Sequence, residues 1–263
     1  LDDGTFYLIS TPRAERKNFD DLSKLMPRDG SVTLRNVTDE RGCFTVVGPK
    51  AREVLQSLTE LDLSNVAFPW FAVKTTTVGL ASDVRLLRVN YEGELGWELY
   101  HPLPYQRHLL EALLKAGEPH GLRLVGLHAL ESLRLEKSYR AIYRDMNPEL
   151  SAWESSLDRF IRLDKGNFSG REALLRQQEA GVKQRLFTIA IDTDGASSLA
   201  HEGVYHDDRL VGRVTSGSYS YTFGHDIALA ILPVELGEPG TELEVPILGE
   251  MRKARVIPES PYD

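Results

Sequence analysis

The sequence predicts an α+β protein in which antiparallel sheets with helices come first and a small C-terminal β-sandwich or β-barrel follows. Apolar residues recur at helical spacing in several segments before residue 182, with strand-like runs between them. After residue 184 only strand-like runs remain, separated by turn signals about every 8–12 residues. The 263 residues are 41% hydrophobic and 27% charged, which is a normal globular composition with enough apolar residues for a core.

The first part of the chain mixes strands and helices. Thr11 followed by Pro12 predicts a helix start, since threonine is a favoured N-cap and proline suits the first helical position. Ser169 and Glu172 have the spacing of a capping box and predict a helix that runs to Gly181. Helices are also predicted after Pro49, from Pro104 to Gly117 and over residues 126–138. Strands are predicted over residues 5–10, 32–37, 43–47, 71–78, 84–90, 97–100 and 158–163.

The helix over residues 126–138 is expected to bury a leucine stripe from Leu127 to Leu135. Arg134 and Glu136, which lie among these leucines, are expected to pair with neighbouring side chains. An irregular segment follows, over residues 139–151.

The C-terminal part contains six predicted strands and no helical pattern. They cover residues 186–191, 203–205, 210–215, 226–232, 241–247 and 252–257. A change of pattern near residues 181–184 predicts one domain over 1–182 and a second over 183–263.

The charge balance narrows the range of partners. With 31 basic and 39 acidic residues, the net charge of −8 argues against nucleic acid or an anionic membrane as a partner. No apolar run reaches the roughly 20 residues of a membrane span and no signal peptide is present, so a cytoplasmic location is expected. Cys43, the single cysteine, lies in a strand-like run and is expected to be a buried core residue.

The segment Tyr91-Glu92-Gly93-Glu94-Leu95-Gly96-Trp97-Glu98 is the strongest candidate for chemistry. It holds a phenol, three carboxylates and two glycines between two strand-like runs. A carboxylate at a strand start, such as Glu98, offers two coplanar acceptors to adjacent N–H donors, as in a guanidinium or a 2-amino-pterin. From the residues alone, either a solvent-exposed turn or a polar ligand clamp fits this segment.

Other common signatures are absent. The sequence has no GxGxxG fingerprint, no P-loop, no GxSxG and no HExxH. The seven histidines are dispersed, so no metal site is expected.

Residues 91–98 resemble the Tyr-x-Gly-Glu-x-Gly-x-Glu motif of the aminomethyltransferases, the family of the glycine cleavage T-protein and of the folate-binding parts of dimethylglycine and sarcosine dehydrogenases and oxidases. The resemblance covers nearly all of the chain, and the order of its motifs is specific. Its other elements are Gly48-Pro49-Lys50-Ala51, Ser132-Leu133-Arg134-Leu135-Glu136-Lys137, residues 164–174 and Gly212-Arg213-Val214-Thr215-Ser216-Gly217.

The resemblance implies a tetrahydrofolate-binding site. Glu98 would bind the 2-amino/N3 edge of the pterin, Tyr91 would line the pocket, and Ile9 and Thr11 would contact the pterin. Arg213 could reach the glutamate tail of the folate. Leu130 stands where the T-protein has an arginine that helps to hold folate, so part of that clamp is missing or replaced.

The catalytic residue stays unknown at this level. The family's aspartate lies in a Gly-Gly-Ile-x-x-Asp segment, which would precede Leu1, and the chain looks N-terminally incomplete. Asp2 and Asp3 are expected to be solvated turn carboxylates instead.

The implied reaction passes a one-carbon unit from an N-methyl amine or its iminium to tetrahydrofolate, giving 5,10-methylenetetrahydrofolate. Lys137, Tyr139 and Arg140 resemble the dehydrogenase branch, in which FAD would belong to a domain or subunit outside this chain. A stand-alone tetrahydrofolate-dependent demethylase of an S-, N- or O-methyl compound is an alternative. A non-catalytic folate-binding protein is a second alternative, disfavoured because Asn167 replaces the cysteine of such proteins.

Overall fold

The computed structural model describes residues 4–262, which form two compact units. The first contains the residues up to Val46, Lys50–Val89 and Gly96–Leu122; the second contains Val47–Pro49, Asn90–Leu95 and the chain from Arg123 onward. Helices with an antiparallel sheet in the first unit and a closed barrel in the second confirm the predicted α+β class. The boundary between residues 182 and 183 stays a prediction. Asp2 and Asp3 lie outside the described residues.

The first unit is built on a four-stranded sheet with the order β1-β4-β3-β2. The β2–β3 hairpin turns through Gly79, whose φ of 57° suits glycine. His108 supports this turn, because its Nε2 accepts a hydrogen bond from the Leu80 N–H at 2.9 Å. The strands are β1 Arg41–Val47, β2 Val73–Val78, β3 Ala81–Leu87 and β4 Gly96–Pro102.

Three helices belong to the same unit. They are α1 Glu15–Leu25, α2 Ala51–Gln56 and α3 Gln106–Gly117. A 3-10 turn over Pro12–Ala14 leads into α1, with proline at the predicted first position, although the Thr11 side chain makes no cap hydrogen bond. The apolar faces of α2 and α3 bury leucines, Leu55 and Leu109 among them, as their helical spacing predicts.

The side chains of β4 point alternately to a buried face and to an open face of the sheet. Trp97, Leu99 and His101 are fully buried, whereas Glu98 and Tyr100, which alternate with them, are only half-buried. This pattern follows from the two-residue period of a strand, and it places Glu98 and Tyr100 on the same side of the sheet.

The second unit contains two helices and a closed barrel with the strand order β10-β5-β8-β7-β6-β9. The helices are α4 Leu127–Glu136 and α5 Arg171–Ala180. The barrel strands are β5 Gln184–Ile191, β6 Gly203–His206, β7 Arg209–Ser220, β8 His225–Pro233, β9 Glu242–Ile247 and β10 Glu250–Ile257. All six predicted barrel strands are therefore confirmed. Their ends shift by at most two residues, except that β7 continues five residues further than predicted.

Both faces of β8 are buried. Ala228, Ala230 and Leu232 belong to the barrel interior. Ile227, Leu229 and Ile231 instead pack with Leu135 of α4 and Leu186 of β5 in a separate cluster. A strand covered on both sides reads as an uninterrupted apolar run, which explains the sequence Ile-Ala-Leu-Ala-Ile-Leu.

Three predicted strands are wrong. Residues 6–10 and 32–37 form no assigned strand, and Asp158–Phe160 is a 3-10 helix. Apolar alternation favours extended backbone, but a strand also requires a neighbour with which to exchange hydrogen bonds. Phe6 and Leu8 on the first of these segments are largely exposed.

Two details of the helices also differ from prediction. Gly170, with φ of 91°, is the N-cap of α5, and no side chain caps this helix, so Ser169 and Glu172 form no capping box. In α4, Leu127 is 80% exposed, while the polar residues Ser132, Arg134 and Glu136 are buried. The leucine stripe is therefore core only towards its C-terminal end, where Leu135 packs against apolar residues of β5 and β8.

Candidate functional site

Glu98 lies on the open face of β4, opposite Leu87 of β3. Its Oε2 accepts a hydrogen bond from the Tyr100 hydroxyl at 2.8 Å. Its Oε1 accepts no hydrogen bond from any residue between 4 and 262. Glu98 is thus a half-buried carboxylate with one oxygen already held and the other available to a ligand.

Tyr100 sits among groups that keep its phenol protonated. Burial, the neighbouring Cys43 and the hydrogen bond to Glu98 all raise the pKa of Tyr100. The Tyr7 ring meets it edge-on with centroids 5.6 Å apart, and the Arg85 guanidinium lies 4.7 Å from the Tyr7 centroid. Tyr100 therefore acts as a hydrogen-bond donor to Glu98 at neutral pH.

Cys43 is exposed, which contradicts its expected place in the core. It lies on β1 next to the residue Phe44, which stacks on the buried His101, so alternation turns the Cys43 thiol away from the core. The residue as a whole is exposed, but its thiol lies beside Tyr100 and Glu98, where partial loss of solvation and the negative charge of Glu98 raise the pKa of Cys43 to about 11. The thiol is therefore protonated and weakly nucleophilic at neutral pH.

The first five residues of the candidate motif, residues 91–95, belong to the second unit together with Asn90. The Tyr91 hydroxyl donates a hydrogen bond to the Arg140 carbonyl at 3.0 Å, and its ring stacks on Tyr139 at 6.1 Å. Burial raises the pKa of Tyr91 to about 12. Gly93 has φ of 79°, and its N–H donates to Asn90 Oδ1 at 2.9 Å.

Glu92 and Glu94 have structural partners. Glu92 is buried, and its Oε2 accepts a hydrogen bond from the Tyr91 N–H at 2.9 Å. Glu94 Oε1 accepts one from the Tyr262 hydroxyl at 3.2 Å. These two carboxylates stabilise the loop and the C-terminal tail, residues 258–262, so Glu98 is the motif carboxylate best suited to a ligand.

The remaining candidates divide between the units. Ile9 and Thr11 lie in the first unit with Glu98, and Ile9 is half exposed. Arg213 lies in the second unit with Tyr91, and its Nη2 donates to Glu149 Oε2 at 2.9 Å. A common folate site for these five residues stays a prediction.

Arg213 also lines a cavity of about 540 Å³ in the second unit. Arg144, Glu149 and His201 are among the other lining residues. Two guanidinium groups at one cavity are suited to a carboxylate-bearing ligand.

The polar residues of α4 form hydrogen bonds with other parts of the second unit. This confirms the expectation that Arg134 and Glu136 pair with neighbouring side chains. Ser132 Oγ donates to the Tyr219 carbonyl at 2.7 Å, and the Glu136 carboxylate accepts hydrogen bonds from Ser220 Oγ at 2.6 Å and Thr222 Oγ1 at 2.8 Å. The Ser-Leu-Arg-Leu-Glu segment thus has a structural role in this chain.

The sequence reasoning missed two residues near these sites. Asp145 is fully buried, and its carboxylate accepts hydrogen bonds from Arg134, Thr215, Ser216 and the Ala141 N–H. A single aspartate in an irregular segment provides no local signal of this role. Tyr100 was missed as well, although its position two residues after Glu98 in a strand could have revealed it.

Comparison with known proteins matches two family models to the chain. Residues 1–165 match the GCVT N-terminal domain, and residues 184–263 match the glycine cleavage T-protein C-terminal barrel domain. The chain belongs to the glycine cleavage T-protein family.

The relatives of this T-protein family member include dimethylglycine dehydrogenases and aminomethyltransferases. Dimethylglycine dehydrogenase, mitochondrial, of Rattus norvegicus is 39% identical over 260 residues, covering 97% of this chain and 30% of the relative. The aminomethyltransferase of Koribacter versatilis is 34% identical over 263 residues, covering 97% of this chain and 67% of the relative. The chain therefore spans 30% of the length of the dehydrogenase relatives that it matches.

A solved structure of the T-protein family has the same fold. The glycine cleavage system aminomethyltransferase T from Bartonella henselae superposes with a TM-score of 0.80 at 24% identity, covering 94% of this chain and 66% of that structure. Within residues 4–262, no helix of this family member is both long and apolar enough to cross a membrane.

Proposed function

We propose that the chain is a tetrahydrofolate-dependent aminomethyl or one-carbon transferase module. It would pass a one-carbon unit from an N-methyl amine or its iminium to tetrahydrofolate and give 5,10-methylenetetrahydrofolate. The iminium is already at the oxidation level of this product, whereas the amine would first lose two electrons to FAD in a domain or subunit outside the described residues. Membership of the T-protein family supports the reaction class. The observation that carries the proposal is the Glu98 carboxylate, half-buried on an open sheet face with Oε1 available.

The chemistry of Glu98 fits one edge of a pterin. The 2-amino group and N3 present two adjacent N–H donors, and a carboxylate accepts both in one plane. Oε2 already accepts from Tyr100, but each carboxylate oxygen has two lone-pair sites and can accept a second hydrogen bond.

When bound, tetrahydrofolate supplies N5, the atom that takes up the one-carbon unit. The residues of this chain would hold and orient it. Glu98 would fix the pterin edge, and Ile9 and Thr11 would contact the ring. Tyr91 would line the pocket as a neutral phenol, because its raised pKa of about 12 keeps the hydroxyl protonated.

Arg213 would bind the glutamate tail. Its present partner Glu149 is 76% exposed, and such a surface ion pair contributes little to stability. A carboxylate of the ligand could therefore replace Glu149 at small cost.

The dimethylglycine dehydrogenase relatives support the finer part of the proposal. A small N-methylated amine would be the donor, and FAD would act in a domain or subunit outside the described residues. A cytoplasmic location stays a prediction.

The decisive experiment is calorimetry of tetrahydrofolate binding to the complete protein and its Glu98→Gln variant. The amide places a donor against a ligand N–H and removes the charge, so affinity should fall at least about thirtyfold. Glu111→Gln is the matched control, because Glu111 is an exposed helix residue paired with Arg107. Equal affinity of wild type and Glu98→Gln would refute the assignment.

A product assay separates the two reactions that remain open. Chromatography should detect 5,10-methylenetetrahydrofolate after turnover with an N-methyl amine. Formation of 5-methyltetrahydrofolate instead would identify a demethylase.

A further inference from the structure

The Tyr100–Glu98 hydrogen bond lies on one strand and one face of the first unit. Two residues of β4 with the same orientation are joined through Tyr100 Oη and Glu98 Oε2 at 2.8 Å. β4 is paired with β3 over Arg85–Tyr100, Leu86–Leu99 and Leu87–Glu98, so the backbone that carries both side chains is held in register.

Tyr100 is held in place by other side chains. The Tyr7 ring packs edge-on against it at an interplanar angle of 76°, and Arg85 covers the Tyr7 ring. Cys43 lies beside its phenol. The hydroxyl therefore has a defined position, independent of any ligand.

A carboxylate without such a donor rotates broadly about its last torsion angle. A donor at one oxygen restricts this rotation and defines the plane of the carboxylate. We propose that Tyr100 is a positioning residue that orients the Glu98 carboxylate towards the 2-amino/N3 edge of a bound pterin. This inference rests on the proposed function, and it goes further by assigning the recognition of that edge to a pair of residues.

The geometry leaves the ligand side of Glu98 accessible. Oε1 has no partner among the described residues, and one lone-pair site remains on Oε2. A group that pre-orients a binding residue increases affinity by reducing the ordering needed on binding. Tyr100 would thus act on affinity through Glu98 without touching the ligand.

The first test is tetrahydrofolate affinity of the Tyr100→Phe variant of the complete protein, measured by calorimetry. Phenylalanine retains the ring contact with Tyr7 and removes only the donor. We expect binding to weaken about tenfold. Tyr105→Phe is the matched control, since among residues 4–262 the Tyr105 hydroxyl makes only a long 3.5 Å contact with Ser82, and the affinity of this variant should be unchanged.

The second test distinguishes positioning from a general structural effect. A tetrahydrofolate analogue that lacks both the 2-amino group and the N3–H donor should bind wild type and Tyr100→Phe equally well. In a Glu98→Gln background, Tyr100→Phe should cause no further loss, because its effect passes through the carboxylate.

Two results would overturn the inference. The first is wild-type affinity for tetrahydrofolate in Tyr100→Phe. The second is that Tyr100→Phe weakens binding of the analogue as much as binding of tetrahydrofolate, and weakens binding as much in the Glu98→Gln background as in the wild type. If Glu98→Gln weakens binding and Tyr100→Phe does not, only the role of Tyr100 fails. If the wild type does not bind tetrahydrofolate, the proposed function fails with it.

Discussion

The Arg134 guanidinium donates a hydrogen bond to the Asp145 carboxylate at 2.9 Å, and both side chains are completely buried. Arg134 also donates to the Tyr139 carbonyl at 2.7 Å and to Glu131 at 2.7 Å. Burial alone lowers the pKa of Arg134, but the charges of Asp145 and Glu131 outweigh it and raise the pKa overall. This pair ties α4 to the irregular segment that follows it.

Breaking the pair should strongly destabilise the fold. Asp145→Asn leaves the fully buried Arg134 with the partly exposed Glu131 but without its buried counter-charge, which costs up to about 3–5 kcal/mol of unfolding free energy. Urea denaturation measures the free energy of unfolding of the variant and the wild type. Glu111→Gln is the control, as its exposed pair with Arg107 is worth at most about 1 kcal/mol. A loss below about 1 kcal/mol in Asp145→Asn would show that the pair is not essential.

Gly93→Ala should destabilise the motif loop for two reasons. Its φ of 79° disfavours any Cβ, and a Cβ there would lie 2.2 Å from Lys137 Cγ. Gly224→Ala has a similar φ of 73° with open space around it, so this variant isolates the backbone cost of about 1 kcal/mol. Thermal unfolding should show a larger loss of stability for Gly93→Ala than for Gly224→Ala. Adding Lys137→Ala to the Gly93→Ala variant should recover part of that difference. Equal losses in the two alanine variants would contradict the clash.

Asp226 should make stability fall as pH rises. It is buried on β8; Oδ1 accepts from the Ser198 N–H and hydroxyl, and Oδ2 has no hydrogen-bond partner among residues 4–262. Burial raises the pKa of Asp226. The folded state thus keeps this proton at a pH where the unfolded chain has lost it, so stability decreases upward from about pH 4 through the raised pKa.

Asp226→Asn tests this dependence. The amide keeps the Oδ1 acceptor and removes the buried charge. The unfolding free energy of Asp226→Asn should increase relative to that of the wild type as pH rises through that window. A difference that does not change with pH would rule out the titration of Asp226 as a cause.

The C-terminal tail should protect the segment after α4. Ser260 N–H donates to Ser138 Oγ at 2.9 Å, Ser260 Oγ donates to the Lys137 carbonyl at 2.8 Å, and the Tyr262 N–H donates to the Glu136 carbonyl at 3.0 Å. Deleting the residues after Ile257 should increase hydrogen exchange of residues 90–95 and 136–140 about tenfold. Tyr262→Phe loses only the Glu94 contact and should affect residues 90–95 alone. Unchanged exchange after deletion would show that the tail is dispensable.

Much of the architecture could be predicted from local pattern. The barrel strands alternate or run apolar between turn residues, and α1 to α3 show helical spacing with a proline or glycine near their ends. The motif of residues 91–98 carried the family resemblance, and the family models agree with it. Glu98 could be selected from sequence because a carboxylate at a strand start has a recognisable chemistry.

By itself, the sequence determined the α+β class, the barrel and the family. Only the tertiary structure decided that Arg134 and Asp145 are buried together, that Cys43 is exposed, that residues 6–10 are not a strand and that Tyr100 holds Glu98. The physical reason is distance along the chain. Periodicity reports which face of an element is apolar, whereas burial of a polar group depends on partners such as Thr215, which meets Asp145 across 70 residues.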